Sequence, residues 1–161
     1  MPPIDHAALT HALMPAVLMA GACLLEHRAK GVAAETKADG TPVSRADREA
    51  EQIVLDALAI AAPGVPVIAE EAVSAGNIPA FEGMAFLVDA LDGTREYING
   101  GDDFTVNVAL VEQGVPVLGI LLAPASGRLF ATLGPRGEAG IVLSGHTDVV
   151  PVTGQAWDTD P

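Results

Sequence analysis

Hydrophobic positions in this chain fall into two kinds of run. From residue 5 to about residue 30 they are dense and recur at helical spacing, which predicts an amphipathic to buried helix. Pro15 falls in its second or third turn, where it would kink the helix or delay its start. Residues 31–43 carry the turn-rich segment Lys37-Ala-Asp-Gly-Thr-Pro42. A second helix is expected over 45–62, with Ala46, Ile53, Leu55, Ala57, Leu58 and Ile60 as its apolar residues. Ser44 would cap it with Asp47 as capping-box partner, and Pro63-Gly64 would end it. Beyond that point the runs shorten. Val65 to Ala69 and Met84 to Val88 read as buried strands that deliver Glu70 and Asp89 at their ends, with a loop over 72–83. Thr94 to Ile98 predicts a short helix. Phe104 to Val111 and Val115 to Leu122 predict an antiparallel pair turning at Gln113-Gly114, with further strands at Arg128–Thr132 and Gly140–Ser144. Helices preceding strands that end in carboxylates describe a layered α+β domain of sheet and helices.

Composition narrows what such a domain can be. The 161 residues suffice for one domain with a real core. Half are hydrophobic but only 4% are aromatic, so Ala, Val, Leu and Ile must build that core. The formal net charge of −13 argues against binding a nucleic acid polymer, which needs basic phosphate contacts, and against a polybasic membrane anchor. An acidic protein that handles an anionic substrate needs a cation between the two. Cys23 is the single cysteine, so no internal disulfide can form, which suits a reducing compartment. The apolar run Ala12 to Leu25 is short for a bilayer and broken by Pro15 and Gly21, and no basic start precedes it, so it reads as a core helix rather than a transmembrane segment. The expected location is the cytoplasm, peripheral association with the inner membrane being the alternative.

The chemistry concentrates in Asp89-Ala-Leu-Asp92-Gly-Thr94. Two carboxylates three apart at the mouth of a strand, followed by Gly and a hydroxyl, offer hard oxygen ligands for Mg²⁺, with Glu70 as a third. The backbone N–H groups of Gly93 and Thr94 could face a phosphate oxygen, the Thr94 hydroxyl could orient a water, and Asp47 could polarise that hydroxyl. Taken singly, each feature has a plainer reading. A D-x-x-D-G-T run is often an Asx turn, Glu70-Glu71 a solvated strand end, and Asp47 a helix cap.

Together these segments resemble the inositol monophosphatase family of Mg²⁺-dependent phosphatases over residues 5 to 130. The matching stretches are Pro42-Val-Ser-Arg-Ala-Asp47, Ile68-Ala-Glu70-Glu71, Phe86 through Asn99, Phe104-Thr-Val-Asn-Val-Ala-Leu110, Gly114 to Ile120 and Pro124 to Phe130. The version with Phe-Thr-Val-Asn resembles the 3′(2′),5′-bisphosphate nucleotidase branch. The resemblance implies that Glu70, Asp89, Asp92 and the Leu91 carbonyl bind two or three Mg²⁺. It implies that Gly93 and Thr94 contact phosphate, that Asp47, Thr94 and Glu70 act in catalysis, and that Lys37 lies in a mobile loop at the site. The implied substrate is a small phosphorylated nucleotide or sugar, such as 3′-phosphoadenosine 5′-phosphate. An inositol monophosphatase-type activity is the alternative within the family. Family members usually carry Pro where this chain has Ala90, which implies a small loss of preorganisation.

Residues 131–161 carry a different likeness. Ser144-Gly-His146-Thr-Asp148-Val-Val-Pro151 resembles the start of acetylornithine deacetylase, of a dizinc amidohydrolase and peptidase family. There the His would ligate zinc and the Asp would orient it. A single His cannot hold a catalytic zinc, so His146 and Asp148 are expected to be vestigial and a zinc amidohydrolase a remote reading. Trp157-Asp158 is read with that string rather than as a phosphatase motif. The expected organisation is a phosphatase-like, truncated domain over 1–130 and a deacetylase-like fragment over 131–161 that is no independent domain. An inactive remnant with residual metal or phosphate binding is the second reading. Its uncovered apolar sheet edge would favour a homo-oligomer.

Overall fold

The computed structural model describes residues 4–31, 34–36, 42–77 and 79–134. Helix α1 (His6–Lys30) opens the chain. Asp5 caps it, its carboxylate accepting from the Ala7 and Ala8 amides at 3.0 and 3.1 Å. Gly31 closes it at φ +91°, and His27, Arg28 and Lys30 in the last turn complement the helix dipole. Pro15 leaves the helix unbroken. It lies on the exposed side, where water can take the His11 carbonyl that Pro15 has no N–H to satisfy. Leu9, Leu13, Val17, Ala20 and Leu24 form the buried stripe. By length and composition α1 is apolar enough to cross a membrane, its mean hydropathy reaching 1.8 over the most apolar window. Here that stripe packs on the sheet and on the second helix.

A short hairpin of β1 (Ala34–Thr36) and β2 (Pro42–Ser44) leads into α2 (Arg45–Ala61). The buried face of α2 takes in two acids beside the expected apolar residues Ala46 and Leu58. It is Ala46, Asp47, Ala50, Glu51, Val54 and Leu58, whereas Ile60 is 84% exposed. Spacings of three and four place Asp47 and Glu51 on the stripe that enters the protein. Two acids therefore ride inward with the apolar residues of this helix.

Strand β3 (Val67–Ala69) is followed directly by a one-turn helix, α3 (Glu70–Ser74), where a loop was expected from residue 72. Then come β4 (Met84–Asp92), α4 (Thr94–Ile98), β5 (Thr105–Glu112), β6 (Val115–Ala123) and β7 (Arg128–Leu133). The five strands form one sheet in sequence order, β3 parallel to β4 and the rest antiparallel. Gln113 and Gly114 both have positive φ, as the tight turn between β5 and β6 requires. The strand predicted over Gly140–Ser144 lies outside the described residues.

Phe86, Val88, Val106, Val108, Leu110, Leu118, Ile120 and Leu122 point from the sheet toward α1 and α2 and make the core. The other face carries Leu87, Ala109, Leu121 and Phe130, of which Leu87 and Phe130 are exposed. A groove of ≈620 Å³ runs along that face beside Val73 of α3.

Tyr97 ties α4 to α1. Its ring is buried edge-on against Phe104 at 5.0 Å, and its hydroxyl donates to the Leu24 carbonyl at 2.7 Å. Arg28 adds a second tie, donating to the Gly101 carbonyl and to Asp102 while its guanidinium lies 5.1 Å from the Phe104 ring centre. Tyr97→Phe should lower stability by about 0.5–1.5 kcal/mol in urea unfolding, the net worth of one buried hydrogen bond. An unchanged midpoint would show that the hydroxyl contributes nothing to this joint.

Candidate active site

The site begins with an irregularity in β4. Asp89 pairs with Asn107, and the next pairing is Asp92 with Thr105. Three steps on β4 thus match two on β5, so Ala90 and Leu91 form a bulge. In a regular strand, residues three apart point to opposite faces. The extra residue cancels that alternation, and Asp89 and Asp92 both border the same groove. Asp89 was expected just beyond a strand ending at Val88. It lies inside a longer one, because the ladder to β5 continues through the bulge.

Glu70 arrives from the neighbouring strand. The register Ala69↔Val88 places the end of β3 beside Asp89, and α3 starts at Glu70 itself. No side chain at Ala69 caps α3. The cap comes instead from α2, where the buried Glu51 carboxylate accepts the Glu71 amide at 2.9 Å. Burial raises the Glu51 carboxyl above its usual range, and the Glu71 amide pulls it back in part. Sequence reasoning passed over Glu51. Its signal was the i, i+4 spacing from Asp47 on the Ala46, Ala50, Val54 stripe.

Gly93 turns the chain from β4 into α4 at φ +90°. A Cβ there would sit 2.6 Å from the Asp103 carbonyl oxygen, so both backbone conformation and space demand glycine. The Thr94 hydroxyl lies 3.0 Å from the Leu91 carbonyl and 3.4 Å from the Asp47 carboxylate. It has one proton, and the shorter contact takes it. Asp47 is buried at the first turn of α2, facing this hydroxyl. Asn107, a second residue not singled out from sequence, donates to Asp92 at 3.2 Å and to Thr105 at 3.0 Å. Its own Oδ1 is buried without a protein partner.

Acid crowding dominates the electrostatics. Burial pushes the Asp89 carboxyl up to about 7, with the Glu70 and Asp92 charges adding to the rise. A carboxyl held this way wants a proton or a cation. The available donors are the carboxylates of Glu70, Asp89 and Asp92 and the Leu91 carbonyl, all hard oxygens that suit Mg²⁺ better than a softer metal. Asp47, Glu70, Asp89 and Leu91 also line one narrow crevice with Glu51. The structure therefore brings Asp47, Glu70, Asp89, Leu91, Asp92, Gly93 and Thr94 to one end of β4. Lys37, His146, Asp148 and Trp157-Asp158 lie outside the described residues.

The raised Asp89 carboxyl has a signed consequence. Without metal, the folded chain keeps a proton on Asp89 that the unfolded chain releases above its ordinary value of 3.8. This contribution to stability is complete at low pH and is lost as pH rises toward and through about 7. Urea unfolding in a chelator should show stability falling from about pH 5 to about pH 8, and falling less in Asp89→Asn. Equal slopes in the two proteins would contradict the Asp89 assignment.

Known proteins resemble this chain in sequence and fold. The model of the inositol monophosphatase family matches residues 5–157. A 3′(2′),5′-bisphosphate nucleotidase, CysQ, of Salmonella typhimurium is 44% identical over 88 residues, covering 55% of this chain and 36% of that protein. A histidinol-phosphatase of Mycobacterium tuberculosis is 38% identical over 103 residues, covering 64% of this chain and 38% of its own length. Among solved structures, the extragenic suppressor protein suhB from Bartonella henselae superposes with a TM-score of 0.68 at 30% identity, over 81% of this chain and 50% of that one. The chain thus spans about half or less of the length of the relatives it matches. With the family model running along nearly its whole length and the same fold in a solved relative, this chain belongs to the inositol monophosphatase family.

Proposed function

We propose that this chain is a Mg²⁺-dependent phosphomonoesterase acting on 3′(2′),5′-bisphosphate nucleotides, converting 3′-phosphoadenosine 5′-phosphate to AMP and phosphate. The observation that carries the proposal is the convergence of Glu70, Asp89 and Asp92 at the β4 bulge, where Asp89 is held near neutrality. The likeness to bisphosphate nucleotidases supports the choice of substrate.

Glu70, Asp89, Asp92 and the Leu91 carbonyl would hold two or three Mg²⁺. Bound there, the cation neutralises phosphate charge and makes a water acidic enough to attack at neutral pH. The protein's own residues do the rest. With the Leu91 carbonyl taken up as a ligand, the Thr94 hydroxyl would donate its hydrogen bond to the Asp47 carboxylate instead, and a lone pair on its oxygen would accept from the attacking water and orient it. Asp47, on a helix whose buried face fixes it, keeps that hydroxyl aligned. Glu70 takes part from the end of β3, held by the Glu51 cap on α3. The Gly93 and Thr94 amides contact the phosphate. The apolar wall of Val73, Leu87, Leu121 and Phe130 gives the organic part of the substrate a surface beside the carboxylates.

A second substrate reading comes from the histidinol-phosphatase likeness, because the same carboxylates suit any phosphomonoester. Phosphate release should be measured from 3′-phosphoadenosine 5′-phosphate, histidinol phosphate and inositol monophosphate, with and without Mg²⁺, beside Asp89→Asn. The proposal expects Mg²⁺-dependent release, fastest from the bisphosphate nucleotide and at least about 100-fold lower in the variant. A folded chain that releases no phosphate from any of the three would overturn the catalytic reading and leave a metal-binding protein of phosphatase descent.

A further inference from the structure

Away from the carboxylates, the surface where α1 meets α2 gathers a different set of ligands. Cys23 and His27 lie four residues apart and project from one face of α1. Glu49 projects toward them from α2. One donor atom from each, the Cys23 sulfur, a His27 nitrogen and a Glu49 oxygen, all lie within 4.8 Å of one another. His27 Nε2 and Glu49 Oε2 already touch at 2.7 Å, and Arg45 Nε holds the other Glu49 oxygen at 2.5 Å. Glu49 is two residues from Asp47, about 200° around the helix, so the two acids serve different sides of α2.

We propose that Cys23, His27 and Glu49 form a second metal site, selective for a borderline cation of the Zn²⁺ class. The chemistry of the donors argues for it. Thiolate and imidazole prefer Zn²⁺ to Mg²⁺, whereas the β4 bulge offers only hard oxygens. One thiolate, one carboxylate and a neutral imidazole exactly balance a dication. Ligands at about 2.0–2.3 Å from tetrahedral zinc sit roughly 3.5 Å apart, so the 2.7 Å contact between His27 and Glu49 would open by about 1 Å, and the Cys23 sulfur, within 4.8 Å of both, would shift by a similar amount. The cation would take the place of the proton between His27 and Glu49, and the Arg45 contact would keep the carboxylate oriented, as outer partners of zinc ligands do. All three residues are half-buried, which leaves the fourth position to water. Since two ligands come from α1 and one from α2, the cation would also clamp the pair of helices on which Asp47 and Glu51 are carried inward.

Co²⁺ is the probe, because its bond to a thiolate gives an absorption band in the near ultraviolet that oxygen ligands do not. The purified chain, kept reduced, should develop that band with one equivalent of Co²⁺ and lose it when Zn²⁺ is added. Cys23→Ser should abolish the band. His27→Ala and Glu49→Gln should weaken Co²⁺ binding at this site by more than about tenfold, since losing even an outer partner of a ligand costs 10–100-fold. Asp89→Asn should leave the band intact, which separates this site from the carboxylates of β4. Glu49 and His27 are partly exposed, so those variants keep the test open should Cys23→Ser fail to fold. Absence of the band in the wild type would overturn the proposal, as would a band undiminished in both His27→Ala and Glu49→Gln.

Discussion

One extra residue in β4 governs the functional end of this molecule. Strand geometry sends residues three apart to opposite faces, and the bulge at Ala90 and Leu91 reverses that for Asp89 and Asp92. Once both acids share a groove with Glu70, their mutual repulsion has to be relieved. In the bare protein a proton on Asp89 does this, and burial raises its carboxyl far enough for the proton to persist near neutrality. A dication relieves the same repulsion without a proton. The acid crowding that a cation would relieve is thus set by backbone register.

Much of the remaining architecture serves to hold that arrangement. The core of aliphatic residues with Phe86, Tyr97 and Phe104 fixes α1 and α2 on one face of the sheet. Because Asp47 and Glu51 fall on the buried stripe of α2, seating the helix also delivers one acid to Thr94 and the other to the start of α3. Gly93 lets the chain leave β4 abruptly, and Tyr97, one turn on, anchors α4 back to α1. The acids therefore come from three elements, Asp47 and Glu51 from α2, Asp89 and Asp92 from β4 and Glu70 from the start of α3, held on one apolar core. The ordinary cost of burying acids falls on stability, which agrees with residues kept for chemistry rather than for folding.

Sequence reading goes far here because the local rules and the fold agree. The boundaries of α1, the turn at Gln113-Gly114 and the α4 segment follow from caps, positive-φ positions and apolar runs that depend on near neighbours. The inositol monophosphatase resemblance rests on strings of residues, and Asp47, Glu70, Asp89 and Asp92 within them end up together at one end of β4. What escaped depends on partners distant in sequence. The length of β4 past Asp89 depends on pairing with β5, so an apolar run ending at Val88 could not reveal it. The α3 helix depends on a cap from Glu51, twenty positions earlier. Which face of α2 is buried did not follow from its apolar residues alone, because angle around the helix buries Asp47 and leaves Ile60 exposed. Glu49 beside His27 and Cys23 likewise exists only once the two helices pack.

The most direct measurement is calorimetric titration of Mg²⁺ into the purified chain near pH 7, in two buffers that differ in heat of protonation. If repulsion at the bulge is what the cation relieves, Mg²⁺ binds and expels the Asp89 proton, about half a proton per chain near pH 7 given a carboxyl at about 7. The expelled fraction should shrink as pH rises. No Mg²⁺ binding by the folded chain, or binding that releases no proton and is unchanged in Asp89→Asn, would contradict the account.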